Sequence, residues 1–359
     1  MNSNDIPYLR LQNHLLNFPL KDPVEVVRWY GAVQSQDYPG ARWAVGMRTK
    51  DVKDSHIETL FNEGKILRTH VMRPTWHFVT PEDIRWLLAL TSQRVHAFSS
   101  HYYKKVGIDT ELFNKSIKIF VQALEKKKYL TRDELKNELI KAKLSFDDEN
   151  RLMRLAYIVM YAELEGIICS GPRKGKQFTY ALLEERAPKA KKLGREDSLA
   201  ELTKRYFNSH GPAQVKDFAW WSGLTMTDVK RGVEINKDII YKENINGKDY
   251  FFSSNSFNKS KDVEAYLLSN YDEYIVAYKD HDAVFDSSYK EKLQLLLPHS
   301  IVIDGQVVGG WKRELKDTSA EIKIRFFRKL NIKEDRAVQK AVQKYSQFLA
   351  KPVKTTYLP

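Results

Sequence analysis

Two carboxamides close an apolar stretch in this chain. Val24, Val26, Val27, Trp29, Tyr30, Ala32 and Val33 lead into Gln34-Ser35-Gln36-Asp37, and the spacing predicts a buried helix face over 23–36. A buried amide without partners costs about 1–3 kcal/mol, so Gln34 and Gln36 either cap that helix end or line a pocket. Neither takes up a proton near neutrality, which makes them poor general bases. They can hold a water, and they can turn their oxygens, as negative dipole ends, toward a developing cation. Help that mild suffices only when the leaving group is already a good one.

A second group follows in Arg68-Thr69-His70-Val71-Met72-Arg73-Pro74-Thr75-Trp76-His77. A hairpin around Pro74, pairing 67–73 with 75–79, would set Arg68, His70 and Met72 on one face and gather Arg73, Thr75 and His77 near the turn. Arg68, Arg73 and His77 then suit phosphates or a flipped nucleotide, with Trp76 available to stack. The competing reading is an ordinary wing with cross-strand pairs and a core tryptophan. Tyr271-Asp272-Glu273-Tyr274, with Asp280, His281 and Asp282, offers carboxylates either to a metal or to structural hydrogen bonds. Trp220-Trp221 reads as core, and Lys312-Arg313 as a backbone contact or a solvated face. There is no phosphate-binding glycine loop, no His-Glu-x-x-His, no paired cysteines and no glycine-flanked nucleophilic serine. No metal, nucleotide or other cofactor is therefore expected.

The elements that must carry these residues repeat. Over 109–184, two amphipathic helices, the second capped by Thr131 with Glu134, precede a third over 149–164, and Ile167–Cys169 and Phe178–Leu182 then form a hairpin. Leu135, Leu139 and Ile140 are placed on the inner face of the second helix. This is the order of a winged helix. Arg151 and Arg154 would lie on its recognition helix, and Arg173, Lys174 and Lys176 at a wing tip that reaches phosphates. The order recurs over 196–255, where Asn246-Gly247 marks the hairpin turn. In a distorted form it recurs in the first 108 residues, with helices near 7–18, 23–36, 55–63 and 81–98.

From 262, short strands (274–278, 300–303, 306–311, 321–327) and a helix over 334–350 read as a small β-barrel or sheet. The expected class is α+β and helix-rich. The expected domains are 1–108, 109–190, 191–260 and 261–359, with linkers near 104–110, 185–197 and 253–262.

Composition narrows the partners. The 59 Lys and Arg against 46 Asp and Glu leave a net charge of +13. That excess is four in residues 1–108 and three in each of the later domains. Charge spread in this way suits a folded surface that follows a phosphate backbone, so double-stranded DNA is the expected partner. With 42% hydrophobic and 29% charged residues the chain reads as globular, and its longest apolar run, 156–162, is too short for a membrane span. A single cysteine, Cys169, and no secretory signal make the cytoplasm the expected compartment, with the nucleoid when DNA is bound.

Gln34-Ser35-Gln36-Asp37, the 68–77 stretch, Gly211-Pro212-Ala213 with Asp217–Leu224, and Asp272-Glu273-Tyr274 with Gly305–Trp311 together resemble the winged-helix DNA glycosylases of the AlkZ/YcaQ-like type. The resemblance covers most of the chain. It implies three tandem winged helices and a C-terminal β-barrel in a C-shaped clamp. The family's Gln-hydrophobic-Gln motif falls on Gln34 and Gln36, with Ser35 departing from the hydrophobic middle. The implied activity is release of N-alkylated purines and unhooking of interstrand crosslinks, with both glutamines placing a water below C1′ and His77 assisting at a phosphate or at the lesion. No lysine is marked as a Schiff-base nucleophile, so no strand incision is expected. The alternative is a non-enzymatic winged-helix regulator.

Overall fold

The computed structural model describes residues 2–144, 149–253, 262–286, 288, 289, 291 and 297–359. Most of the expected linker at 253–262 lies outside them. The chain runs through helices α1 (Asp5–Asn13) and α2 (Pro23–Tyr30), strand β1 (Val33–Gln34), helices α3 (Tyr38–Met47) and α4 (Asp54–Asn62), strands β2 (Leu67–Val71) and β3 (Arg73–Val79), and helix α5 (Ile84–Lys105). There follow α6 (Thr110–Lys127), β4 (Leu130–Thr131), α7 (Arg132–Lys141), α8 (Arg151–Leu164), β5 (Ile168–Ser170), β6 (Thr179–Leu182) and α9 (Leu183–Arg186). Next come α10 (Arg195–His210), α11 (Val215–Ser222), α12 (Met226–Ile235), β7 (Tyr241–Ile245) and β8 (Lys248–Phe252). The last part comprises β9 (Ala265–Leu267), α13 (Glu273–Val276), β10 (His299–Ile303), β11 (Gln306–Leu315), β12 (Ala320–Phe326), α14 (Ile332–Leu349) and β13 (Val353–Tyr357).

These elements gather into two compact units. One holds Met1–Glu58, Ala200–Trp221 and Thr225–Pro359, and the other Thr59–Leu199 with Ser222–Leu224. Among the described residues no helix is long and apolar enough to cross a membrane.

The second unit contains the expected winged-helix order, α6-β4-α7-α8-β5-β6, with strands arranged β4-β6-β5. Its helix starts are set locally. Asp109 accepts the Leu112 N–H (2.8 Å), and Thr131 and Glu134 close the capping box reciprocally at 3.2 and 2.7 Å. Leu135 and Leu139 are buried, whereas Ile140 is 47% exposed, because one residue past an i, i+4 pair turns about 100° away. The β2–β3 hairpin turns on Met72 (φ +63°), and not on Pro74, which sits exposed inside β3. Val71 pairs with Arg73, and a register shift after His70 makes room for the tight turn.

The order recurs over 195–252, most of which lies in the first unit, with Ala213 pairing with Phe251 as a one-residue first strand. Asn246 and Gly247, at φ +51° and +78°, form the two-residue turn that Asn-Gly favours. Its C-terminal part is a five-stranded sheet ordered β13-β12-β11-β10-β9, antiparallel except for the β12–β13 pair. The strand expected over 274–278 is instead the single turn α13, opened by Asp272, whose carboxylate accepts the Tyr274 N–H at 3.0 Å.

The helix expected over 23–36 stops at Tyr30, since Gly31 adopts φ +80°. A separate helix, α3, then starts with Asp37 as its cap and Pro39 in its first turn. Through Trp43, Gly46 and Arg48, α3 ties the N-terminus to the sheet. Trp43 meets Tyr345 and Phe348 of α14 at ring separations of 4.9 and 5.0 Å.

Gly46 lets that contact form, because a Cβ there would stand inside the Phe348 ring. Gly46→Ala is expected to destabilise the protein by about 1–3 kcal/mol in urea unfolding. The cost should shrink in a Phe348→Ala background, and an equal cost in both backgrounds would contradict this packing.

Candidate active site

The segment from Leu267 to Glu273 organises the first unit. Trp43 and Trp311 donate their indole N–H groups to the successive carbonyls of Leu267 (2.7 Å) and Leu268 (2.8 Å). Asp272 takes both terminal nitrogens of Arg48, at 2.7 and 2.9 Å. The Arg48 Nε donates to the Tyr30 hydroxyl and the His14 carbonyl, and Nη1 also reaches the Ala44 carbonyl. A buried ion pair repays its desolvation only when its remaining hydrogen-bonding capacity is filled in this way.

Glu273 is 1% exposed. One of its oxygens accepts the Gln34 main-chain N–H at 2.7 Å, and the other accepts the Trp221 indole at 2.8 Å and lies 3.5 Å from His210 Nε2. Of the two readings open for these carboxylates, structural hydrogen bonding is the one observed. Asp280 is likewise occupied, by Gln214, Lys216 and Lys248. Among the described residues no group of three or more His, Cys, Asp or Glu is placed to hold a metal ion.

The carboxamide pair sits on a strand and the turn after it, not at a helix end. Gln34 is buried, and its Oε1 has no hydrogen-bond partner among the described residues. Ser35 is wholly buried. Gln36 is exposed, which corrects the expectation of two buried amides. Asp37 caps α3 through the Gly40 N–H and binds Arg313 Nη2 at 2.6 and 2.9 Å, so Arg313 belongs to the segment carrying the glutamines. Trp221 is core, whereas Trp220 is 51% exposed and only its indole N–H is tied down, to the Val276 carbonyl.

Three histidines of this unit, His14, His210 and His299, have lowered pKa values. His14 bonds the hydroxyls of Tyr30 (3.0 Å) and Tyr278 (2.7 Å), and its pKa is lowered by burial and then by His210, Arg48 and Arg10. Burial also lowers His210. His299 was not singled out by the sequence. It begins β10, its ring 4.8 Å from Trp311, and its pKa is pushed down to about 3 by burial and by Arg313. No spacing marks it, because its partners come from other strands.

The cationic and aromatic candidates at 68–77 and 151–176 belong to the second unit. The Arg68 guanidinium lies 4.3 Å above Trp76 and 4.5 Å above Phe178, and Arg173 takes up the same 4.5 Å separation from Phe178. The His70 ring is 4.3 Å from Trp76, and its Nδ1 pairs with Glu163. Trp76 thus already carries two neighbours. It also lines a cavity of about 370 Å³ with His70, Phe98, Tyr102, Met153 and Tyr157. His77 is buried opposite Thr69, its Nδ1 3.0 Å from the Thr75 carbonyl, and Arg73 is half-buried. On α8, Arg151 is exposed, whereas Arg154 donates to the Val106 carbonyl at 2.9 Å. Lys174 and Lys176 are exposed at the wing tip, with Lys174 2.9 Å from Glu134.

Winged-helix order and a five-stranded C-terminal sheet are the fold of a winged-helix class of DNA glycosylases. The chain belongs to the DNA glycosylase AlkZ-like family, whose model matches residues 27–348. It is similar to an interstrand DNA cross-link repair glycosylase of Streptomyces sahachiroi, with 22% identity over 302 residues, 80% of this chain and 81% of that one. The solved structure of Streptomyces sahachiroi DNA glycosylase AlkZ superposes with a TM-score of 0.80 at 17% identity, covering 100% of both chains, a likeness of fold.

Removing one partner of the Arg48–Asp272 pair strands a buried charge. Arg48→Met is expected to cost about 3–5 kcal/mol in urea unfolding, and Arg48→Met with Asp272→Asn distinctly less than the two single costs added together. Additive costs would show that the two do not act as a pair.

A base whose pKa is lowered on folding is protonated first in the unfolded chain. The stability linked to His14, His210 and His299 is therefore whole above the unfolded value of 6.5 and is lost as pH falls below it. Tm followed from neutral pH downward should begin to drop near 6.5. A Tm that held flat through that region would show that these histidines take up protons in the folded protein as readily as in the unfolded chain.

Proposed function

We propose that this protein hydrolyses the N-glycosidic bond of cationic N-alkylated purines in double-stranded DNA, and so unhooks interstrand crosslinks formed at such purines. The observation that carries the proposal is Gln34: a buried carboxamide, pinned through its main chain to Glu273, with an Oε1 that no group among the described residues satisfies. An acceptor fixed in that way is available to a water or to a developing positive charge. Alkylation at N7 or N3 makes the purine a cation, so it departs without an acid. Gln34 and Gln36 place the water at C1′ and stabilise the oxocarbenium-like sugar, and no covalent enzyme intermediate is needed. Arg68, Arg73, Trp76 and His77 are assigned to the nucleotide and its phosphates, and Arg151, Arg154, Arg173, Lys174 and Lys176 to the duplex. Of the last five, exposed Arg151, Lys174 and Lys176 are the best placed to meet phosphates. The crosslink substrate is supported by the similarity to the interstrand DNA cross-link repair glycosylase of Streptomyces sahachiroi.

Duplexes carrying 7-methylguanine or a nitrogen-mustard crosslink test this. Wild type should release the base or unhook the crosslink, and Gln34→Ala should slow single-turnover release by roughly 100-fold with duplex binding retained. Gln36→Ala should slow it less, because its exposed amide is less preorganised. Absence of release by the wild type, or equal release by Gln34→Ala, would overturn the proposal. Operator-specific protection without base release would point to a regulator.

A further inference from the structure

Three buried polar atoms of the first unit, Gln34 Oε1, Ser269 Oγ and His299 Nδ1, have no hydrogen-bond partner among the described residues. Contacts along the chain link their positions. Ser269 directly follows Leu267 and Leu268, the two carbonyls held by Trp43 and Trp311. The β9–β10 register pairs Leu267 with Ile301, and the Leu268 N–H donates to the Ser300 carbonyl at 2.9 Å, so the next register position sets Ser269 against His299. His299 pairs in turn with Trp311. Two residues on, and on the same face of β11, Arg313 holds Asp37, the neighbour of Gln36. Four residues past Ser269, Glu273 holds the Gln34 main chain.

Ser269 and His299 are 4% and 6% exposed. Nothing among the described residues offsets the desolvation of these two atoms, which leaves them open to a water or a ligand. We propose that His299, with Ser269, contacts the substrate complex at the Gln34 site, its Nδ1 holding the attacking water jointly with the Gln34 carboxamide. The assignment rests on the glycosidic-hydrolysis reading. In that step the water oxygen bonds to C1′ as the C1′–N bond breaks, and the bonding pair passes to the cationic purine, which leaves neutral. The proton lost by the water goes to solvent. An imidazole kept uncharged by burial and by Arg313 suits this task, since a positive ring would repel the oxocarbenium-like sugar.

The test compares wild type, Gln34→Ala, His299→Phe and His299→Asn in single-turnover release of 7-methylguanine from a duplex, alongside duplex affinity and Tm. His299→Phe should lower the rate by roughly 10- to 100-fold with affinity unchanged. His299→Asn, whose amide can stand where Nδ1 stood, should restore most of it. Restoration by Asn supports the assignment even if Phe lowers Tm, because a packing role would not be rescued by a smaller polar group. A Phe variant as fast as an active wild type, or Phe and Asn variants that lose rate and Tm together, overturns this assignment alone. A wild type that releases no base overturns the glycosidic reading and this assignment with it.

Discussion

Two neighbouring carboxylates, Asp272 and Glu273, hold the first unit together by pulling on different parts of the chain. Asp272 grips Arg48 at the end of α3, and through Arg48 it fixes Tyr30 and the His14 carbonyl. Glu273 fixes the Gln34 main chain, the Trp221 indole and the edge of His210. Side-chain entropy alone would leave a glutamine on a two-residue strand poorly defined. A charge-assisted bond to its own N–H, from a carboxylate itself bound elsewhere, removes that freedom. The buried charges therefore act as scaffold, and in the proposed reaction the chemistry is left to uncharged groups.

For the proposed reaction, that division follows from the chemistry of a cationic leaving group. When the base already carries the positive charge, a strong acid adds nothing to its departure, and a positive group near C1′ opposes the sugar cation. The first unit meets both conditions. Arg313 is neutralised by Asp37, and His14, His210 and His299 are kept uncharged by burial. The exposed cations of the second unit, Arg151, Lys174 and Lys176, suit a different task, holding a polyanion without choosing its sequence.

Much of the architecture was legible because it is written in local signals. Thr131 with Glu134 and Asn246-Gly247 each specify a cap or turn within four residues, and each stands where it was expected. The carboxamide pair was found for the same reason, as polar residues breaking an apolar run. Its setting was misread because Gly31 and Asp37-Tyr38-Pro39 are also local signals, a helix stop and a helix start, and the apolar periodicity was carried across them. The turn at Met72 could not be read from composition: a buried, non-glycine residue at positive φ is imposed by its surroundings, and Pro74 beside it offered the conventional turn signal.

The residues that escaped the sequence are those whose meaning depends on distant partners. Asp272 and Glu273 were noticed as carboxylates, but their role depends on Arg48, 224 positions away, and Gln34, 239 away. No spacing rule reaches that far. His299 has no neighbour in sequence that marks it, and only the strand register brings it to Trp311 and Ser269. Local pattern decides where a helix begins. Which buried polar atoms are spoken for, and which are left for a substrate, is decided by pairing across the chain, because satisfaction is a property of the pair. In the proposed site, which would work with weak groups, this distinction carries more than residue type does. A glutamine or a neutral histidine contributes to catalysis only if the fold has fixed its position and left its lone pair unused.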